Sequence, residues 1–209
     1  MIFSIQQDEI AELLSRQLDN LFTLSEEERV ILNTKLGKAI AKLVYCFSRN
    51  DNKYYHLDGE TYFNPFQSAQ YTIFLYYMSR IIYEETSNSL LADKIYYLNK
   101  ALNGCDLFYQ VKLPDYFKLD HPVGSVMGRA LYGEGFSFSQ CCTVGNNRGI
   151  YPIIGKNVQM CAYSSIIGNC HVGNNVIIGS NSGIKDCDVP DNMIVFGHTP
   201  NNIFKPNHK

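Results

Sequence analysis

The chain has 209 residues, enough for one large domain or two small ones. Hydrophobic residues make up 45% and charged residues 18%, the balance of a folded chain with a core rather than of a disordered one. A net charge of −2, with no Lys/Arg-rich run, excludes the basic field that draws nucleic acid or an anionic membrane surface.

The first ten residues, Met1 to Ile10, lack the basic start and apolar run of a signal peptide, which predicts a soluble, cytoplasmic protein. Ile10, Leu13, Leu14, Leu18 and Leu21 then recur at helical spacing. Ser25 followed by Glu28 predicts a capping box, opening a helix whose apolar face is Leu32, Leu36, Ile40, Leu43 and Phe47. A polar and aromatic connection from Ser48 to Gln67 leads to a third stripe of Phe74, Tyr77, Met78, Ile81 and Ile82. Its surroundings, Tyr71 to Tyr83, are too short to span a bilayer and carry Arg80, so no membrane insertion is expected. Leu91, Ile95, Leu98 and Leu102 form a fourth stripe that meets Gly104, a helix stop. Four such stripes predict the core of a helical bundle rather than a cofactor site.

After Gly104 the period changes. Ile154, Met160, Ile166, Val172, Ile178 and Ile184 lie six residues apart, and Val126, Tyr132, Phe138 and Val144 form a similar ladder upstream. Gly128, Gly145, Gly155, Gly168, Gly173 and Gly179 follow the rungs, and Asn146, Asn147, Asn157, Asn169, Asn174, Asn175 and Asn181 fill the turns. A six-residue period predicts a parallel β-helix built from hexapeptide repeats, with about eighteen residues per triangular coil. The aliphatic rung points inward, and Gly and Asn take the positive φ of the corners. The expected fold is therefore α+β, a helical domain over 1–104 followed by a β-helix over 105–209. The seven cysteines form no Cys-x-x-Cys pair, so neither a disulfide framework nor a metal site is expected, and they are predicted to act as small hydrophobes.

Several segments in this half resemble the serine O-acetyltransferase branch of the hexapeptide-repeat acyltransferases. They are Asp120-His121-Pro122-Val123-Gly124, Ser125-Val126-Met127-Gly128, Gln140-Cys141-Cys142-Thr143-Val144-Gly145, and Ile166-Ile167-Gly168-Asn169-Cys170-His171-Val172-Gly173. Asp106, fourteen residues ahead of Asp120, also matches the family pattern. The likeness runs from Asp106 to Pro206. It implies a left-handed β-helix and acetyl transfer from acetyl-CoA, without a metal, to the hydroxyl of L-serine or a serine-like acceptor. It implies His121 as general base, since imidazole titrates near neutral pH, with Asp106 orienting and stabilising the ring. Asp120 would bind the acceptor's ammonium group. Ala162 and Ser180 fall where small side chains admit the pantetheine arm, and Lys185 is a candidate for the CoA phosphates. A homotrimer is implied, with the helical half pairing trimers into a hexamer as the further arrangement and serving part of the acceptor site.

The departures bear on the acceptor. Where the family loop ends Arg-His-Pro, this chain reads Arg148-Gly149-Ile150-Tyr151-Pro152, so Tyr151 replaces the histidine and Arg148 is displaced by two positions. Losing the bidentate guanidinium weakens carboxylate recognition. Asn64, in Tyr62-Phe63-Asn64-Pro65-Phe66, stands for a family Asp that contacts the acceptor. The chain ends Asn207-His208-Lys209 rather than in isoleucine, so no cysteine-synthase complex is expected. These changes leave two alternatives open, an O-acetyltransferase acting on a sugar in surface-polysaccharide assembly, and a non-catalytic oligomeric scaffold.

Overall fold

Four helices take up most of the first half, and the sequence supplies their ends. They are α1 (Gln7–Leu21), α2 (Glu26–Phe47), α3 (Ser68–Thr86) and α4 (Ser89–Asn103) in the computed structural model, which describes residues 1–208. The Ser25 hydroxyl accepts the Glu28 N–H at 3.2 Å, and the Glu28 carboxylate accepts the Ser25 N–H at 2.8 Å, so the capping box satisfies two free amides at the start of α2. The same carboxylate is buried against Lys94 of α4, whose ammonium lies 2.7 and 2.8 Å from its two oxygens and also donates to the Thr23 carbonyl at 2.7 Å. One side chain thus starts α2 and pins α4 to it.

Helix α3 packs against both α2 and α4 and is buried continuously from Ala69 to Ser79, the polar Gln70, Thr72 and Ser79 included, so it is enclosed all round and forms the centre of this unit. The aromatic connection feeds the same core. Tyr55 meets Phe47 edge-on with ring centroids 4.6 Å apart, and Phe63 meets Phe74 at 5.5 Å, while Tyr54 and Phe66 stay exposed. Two residues of the expected stripes are exposed instead, Leu21 and Leu102, each in the last turn of its helix. In α4 the inner positions of that turn belong to a buried polar pair. Asn99 donates to the Thr72 carbonyl at 3.1 Å, and Asn103 donates to Asn99 at 2.8 Å, which turns Leu102 outward.

A second unit begins at Gly104 and is a parallel solenoid with three faces. The first face stacks Asp106–Leu107, Val126–Met127, Thr143–Gly145, Ser165–Ile167 and Gly183–Lys185. The second stacks Leu131–Tyr132, Ile153–Ile154 and His171–Val172. The third stacks Phe117–Leu119, Phe136–Phe138, Gln159–Met160, Ile177–Ile178 and Met193–Phe196, and the antiparallel strand Ile203–Pro206 covers its edge. The rungs Ile154, Met160, Ile166, Val172, Ile178 and Ile184 are all buried, and the register stacks Phe138, Met160 and Ile178 in one column, Val144, Ile166 and Ile184 in a second, and Tyr132, Ile154 and Val172 in a third. One rung differs from expectation. Val126 is 43% exposed, and Met127, 2% exposed, pairs with Val144 in the core. Only five positions separate Met127 from Tyr132, so the six-residue count slips by one at this corner and moves the inward place to the next residue.

Coils stack backbone on backbone. A Cβ placed on Gly133 would lie 2.4 Å from the Gly155 carbonyl group, a gap that hydrogen alone fills. No helix among the described residues is long and apolar enough to cross a membrane.

Candidate active site

Where the third face turns into the first, each coil makes a tight corner, and the corners stack into one edge of the solenoid. The positive-φ positions are Gly124 (77°), Cys141 (55°), Tyr163 (62°) and Asn181 (53°). Backbone bonds tie the successive corners together. Cys141 N–H donates to the Val123 carbonyl (2.9 Å), Tyr163 N–H to Gln140 (3.0 Å), and Asn181 N–H to Ala162 (2.9 Å). The lowest corner is locked from inside by Ser125, whose buried hydroxyl donates to the Ser139 carbonyl at 2.7 Å and accepts the Cys142 N–H at 3.0 Å.

This lowest corner carries Asp120 and His121. The Asp120 N–H is anchored to the Phe138 carbonyl at 3.1 Å, and His121 takes a φ of 51°, which holds its side chain 88% exposed on the edge. His121 Nε2 lies 3.6 Å from Asp120 Oδ1. The carboxylate beside the imidazole is therefore Asp120. Asp106 lies on the first face, half-buried, with its N–H bonded to the Ser125 carbonyl at 2.8 Å. Ala162 and Ser180 occupy the same edge as His121, in the corners that also hold Tyr163 and Asn181.

The remaining expected residues are elsewhere. Arg148 and Tyr151 belong to a loop that leaves the opposite end of the first face. The coil carrying it spans 22 residues against 18 for the next, and the excess folds back as a bridge in which Asn147 and Ile150 exchange N–H···O bonds of 3.0 Å. Within one chain this loop and the His121 edge occupy different corners. Lys185, which ends a first-face strand, sits at the loop's corner rather than beside Ala162 and Ser180. Asn64 lies in the helical unit, where its side-chain oxygen accepts from the Ser4 hydroxyl at 3.1 Å and the Phe66 N–H at 2.9 Å, an arrangement that shapes a turn.

The loop's base is held by a residue that sequence reasoning missed. Asp186 accepts from the Asn169 N–H at 2.8 Å and from the Asn147 side-chain amide at 2.5 Å, joining the loop to the two coils above it. These donors hold its carboxyl below the usual carboxylate value, the Asn169 N–H most of all. Asp188 and Asp191 repeat the device, accepting the N–H groups of His171 (2.8 Å) and Asn174 (2.7 Å). The signal was present as Asn169-x-His171-x-x-Asn174 answered 17 residues later by Asp186-x-Asp188-x-x-Asp191.

Burial, then the neighbouring Asp106 charge, pushes the Cys105 thiol up to about 12, and burial also raises Cys170, so neither is a nucleophile near neutral pH. No group of three His, Cys, Asp or Glu that could hold a metal ion occurs among the described residues.

Residues 151–186 match the bacterial transferase hexapeptide model of six repeats. A serine acetyltransferase of Staphylococcus epidermidis is 35% identical over 104 residues, which cover 41% of this chain and 47% of that protein. One from Staphylococcus aureus is 33% identical over the same length. The alignments span less than half the length of these curated relatives. Among solved structures, serine acetyltransferase from Neisseria gonorrhoeae in complex with serine superimposes with a TM-score of 0.67 and 26% identity, over 94% of this chain and 82% of that one. A serine acetyltransferase complex with CoA gives 0.69 at 16% identity, over 95% and 84%.

Proposed function

We propose, from the premise that this chain is a hexapeptide-repeat protein with the fold of the serine acetyltransferases, that it transfers an acetyl group from acetyl-CoA to the hydroxyl of serine or a serine-like acceptor. The observation that carries the reading is the gathering of Asp120, His121, Ala162 and Ser180 on one edge of the solenoid. An exposed imidazole at its foot and small residues above it suit a base working at the end of a long, thin donor.

The chemistry needs few groups. The acceptor oxygen attacks the thioester carbonyl carbon while His121 takes the hydroxyl proton. The tetrahedral intermediate then collapses, the C–S bond breaks, and the imidazolium returns the proton to the departing sulfur. The resemblance assigns Asp106 to stabilise the imidazolium, although the carboxylate 3.6 Å from the His121 ring in this chain is Asp120, and a backbone N–H of a neighbouring corner would stabilise the oxyanion. Asp120 holds the acceptor's ammonium. Arg148 and Tyr151 complete the carboxylate end, and because one chain carries them at another corner, a second copy supplies them. A homotrimer with the His121 edge of each copy facing the loop of its neighbour meets that need, and the helical unit adds further contacts between copies.

The test is CoA release from acetyl-CoA with and without L-serine, by wild type and His121→Ala. Serine-dependent release that drops 10²- to 10⁴-fold in a folded His121→Ala variant is the expected result. Release that responds only to hydroxylated sugar nucleotides reassigns the acceptor, and full activity in His121→Ala removes the base.

A further inference from the structure

Three residues on this edge that are neither glycine nor asparagine hold a positive φ, His121, Cys141 and Tyr163, and Tyr163 is the largest of them. The four stacked corners use Gly124, Cys141, Tyr163 and Asn181, and a φ near 60° suits glycine and asparagine but strains a bulky aromatic. Tyr163 nevertheless holds a φ of 62° and is 61% exposed. Neither core packing nor turn preference explains a large ring at this position. Its neighbours on the edge, Ala162 and Ser180, are small, so the ring stands beside an open strip.

Distance along the edge says what lies opposite the ring. Neighbouring coils are about 4.8 Å apart, which puts Tyr163, two coils above the His121 corner, about 10 Å from the reacting end. A pantetheine arm has a chain length near that of four or five residues and reaches on the order of 15 Å when extended. The solenoid starts just below His121, so its remaining corners, and the strip they form, all lie on the Tyr163 side. On the donor reading, an acetyl group at His121 would sit too near that corner to meet the ring, and the nucleotide would lie beyond it.

We infer that Tyr163 is a donor-binding residue that packs against the amide-containing middle of the pantetheine arm. The inference rests on the donor reading above. A flat, amphipathic side chain suits the task, with a face for the methylenes and a hydroxyl for an amide.

Calorimetric binding of CoA, pantetheine and adenosine 3′,5′-diphosphate to wild type, Tyr163→Gly, Tyr163→Asn and Tyr163→Phe tests it. The Gly and Asn variants should lose about tenfold or more in affinity for CoA and pantetheine. They should bind the nucleotide fragment as wild type does and melt no lower, because both residues accept the corner's φ. The Phe variant should keep most of the affinity. Unchanged CoA binding in Tyr163→Gly and Tyr163→Asn overturns the inference, as does a loss that accompanies a changed sedimentation coefficient, which would assign the ring to contact between copies. A wild-type chain that binds no CoA overturns the donor reading itself, and the inference with it.

Discussion

Glu28 offers a test of how the helical unit is held together. Its side chain is 8% exposed and that of Lys94 14% exposed, so the pair is largely removed from water. Glu28→Ala takes away the partner of a buried ammonium and half of the capping box together. Removing one member of a fully buried pair costs about 3–5 kcal/mol. Lys94 keeps the Thr23 carbonyl and some water, which lowers that share to about 2–3 kcal/mol. The lost cap adds roughly 0.5–1 kcal/mol. The sum, about 3 kcal/mol, corresponds to a fall of at least 12 °C in Tm for a unit of this size. Glu28→Gln, which still accepts the Ser25 N–H, should lose less. Its acid profile should also differ. Burial pushes the Glu28 carboxyl up, but the Lys94 ammonium and the Ser25 N–H outweigh it and hold the group below its ordinary value of 4.5. A carboxyl lowered on folding contributes stability that is fully present above about 4.5 and is lost as pH falls through the folded value. Helix content followed during urea unfolding between pH 7 and pH 3 reads both effects. A loss under 1 kcal/mol in Glu28→Ala, or identical acid profiles for wild type and Glu28→Gln, would refute the argument.

Two glycines should respond in opposite directions to the same change. Gly133→Ala pushes a methyl group into the backbone of the next coil and should destabilise the solenoid by about 3 kcal/mol, whereas Gly37→Ala, on α2 with no atom within 4 Å, should stabilise by about 0.5–1 kcal/mol; chemical denaturation of each variant checks the signs. Asp186→Ala should free the base of the 146–150 loop, speeding limited proteolysis there and raising KM for the acceptor several-fold with little change in kcat, and Asp186→Asn should restore part of the effect through its remaining acceptor oxygen.

Much of the architecture was legible because it follows from short-range rules. Ser25 and Glu28 marked a helix start that the structure reproduces bond for bond, and the six-residue ladder from Ile154 to Ile184 became a single buried column on each face. Such features depend on a residue and its neighbours a few positions away, so spacing encodes them. The inward place of Met127 depended on one residue missing between two corners, which periodicity averages over. The exposure of Leu102 depended on Asn99 finding the Thr72 carbonyl on another helix.

The site divides in the same way. Resemblance singled out Asp120, His121, Ala162 and Ser180, residues far apart in sequence, and the stacking of corners brought them to one edge. The same stacking set Arg148, Tyr151 and Lys185 at another corner and tied Asn64 into a turn of the helical unit. It also exposed two residues that composition did not mark, Tyr163 on the edge and Asp186 beneath the loop. Hexapeptide periodicity determines that the chain coils and which side chains point inward. Which outward residues become neighbours is decided by how the coils stack, because differences in coil length are absorbed locally at a corner: the extra residues of the longest coil fold out as the 146–150 loop and leave Ile166 paired with Val144 and Ile154 with Tyr132.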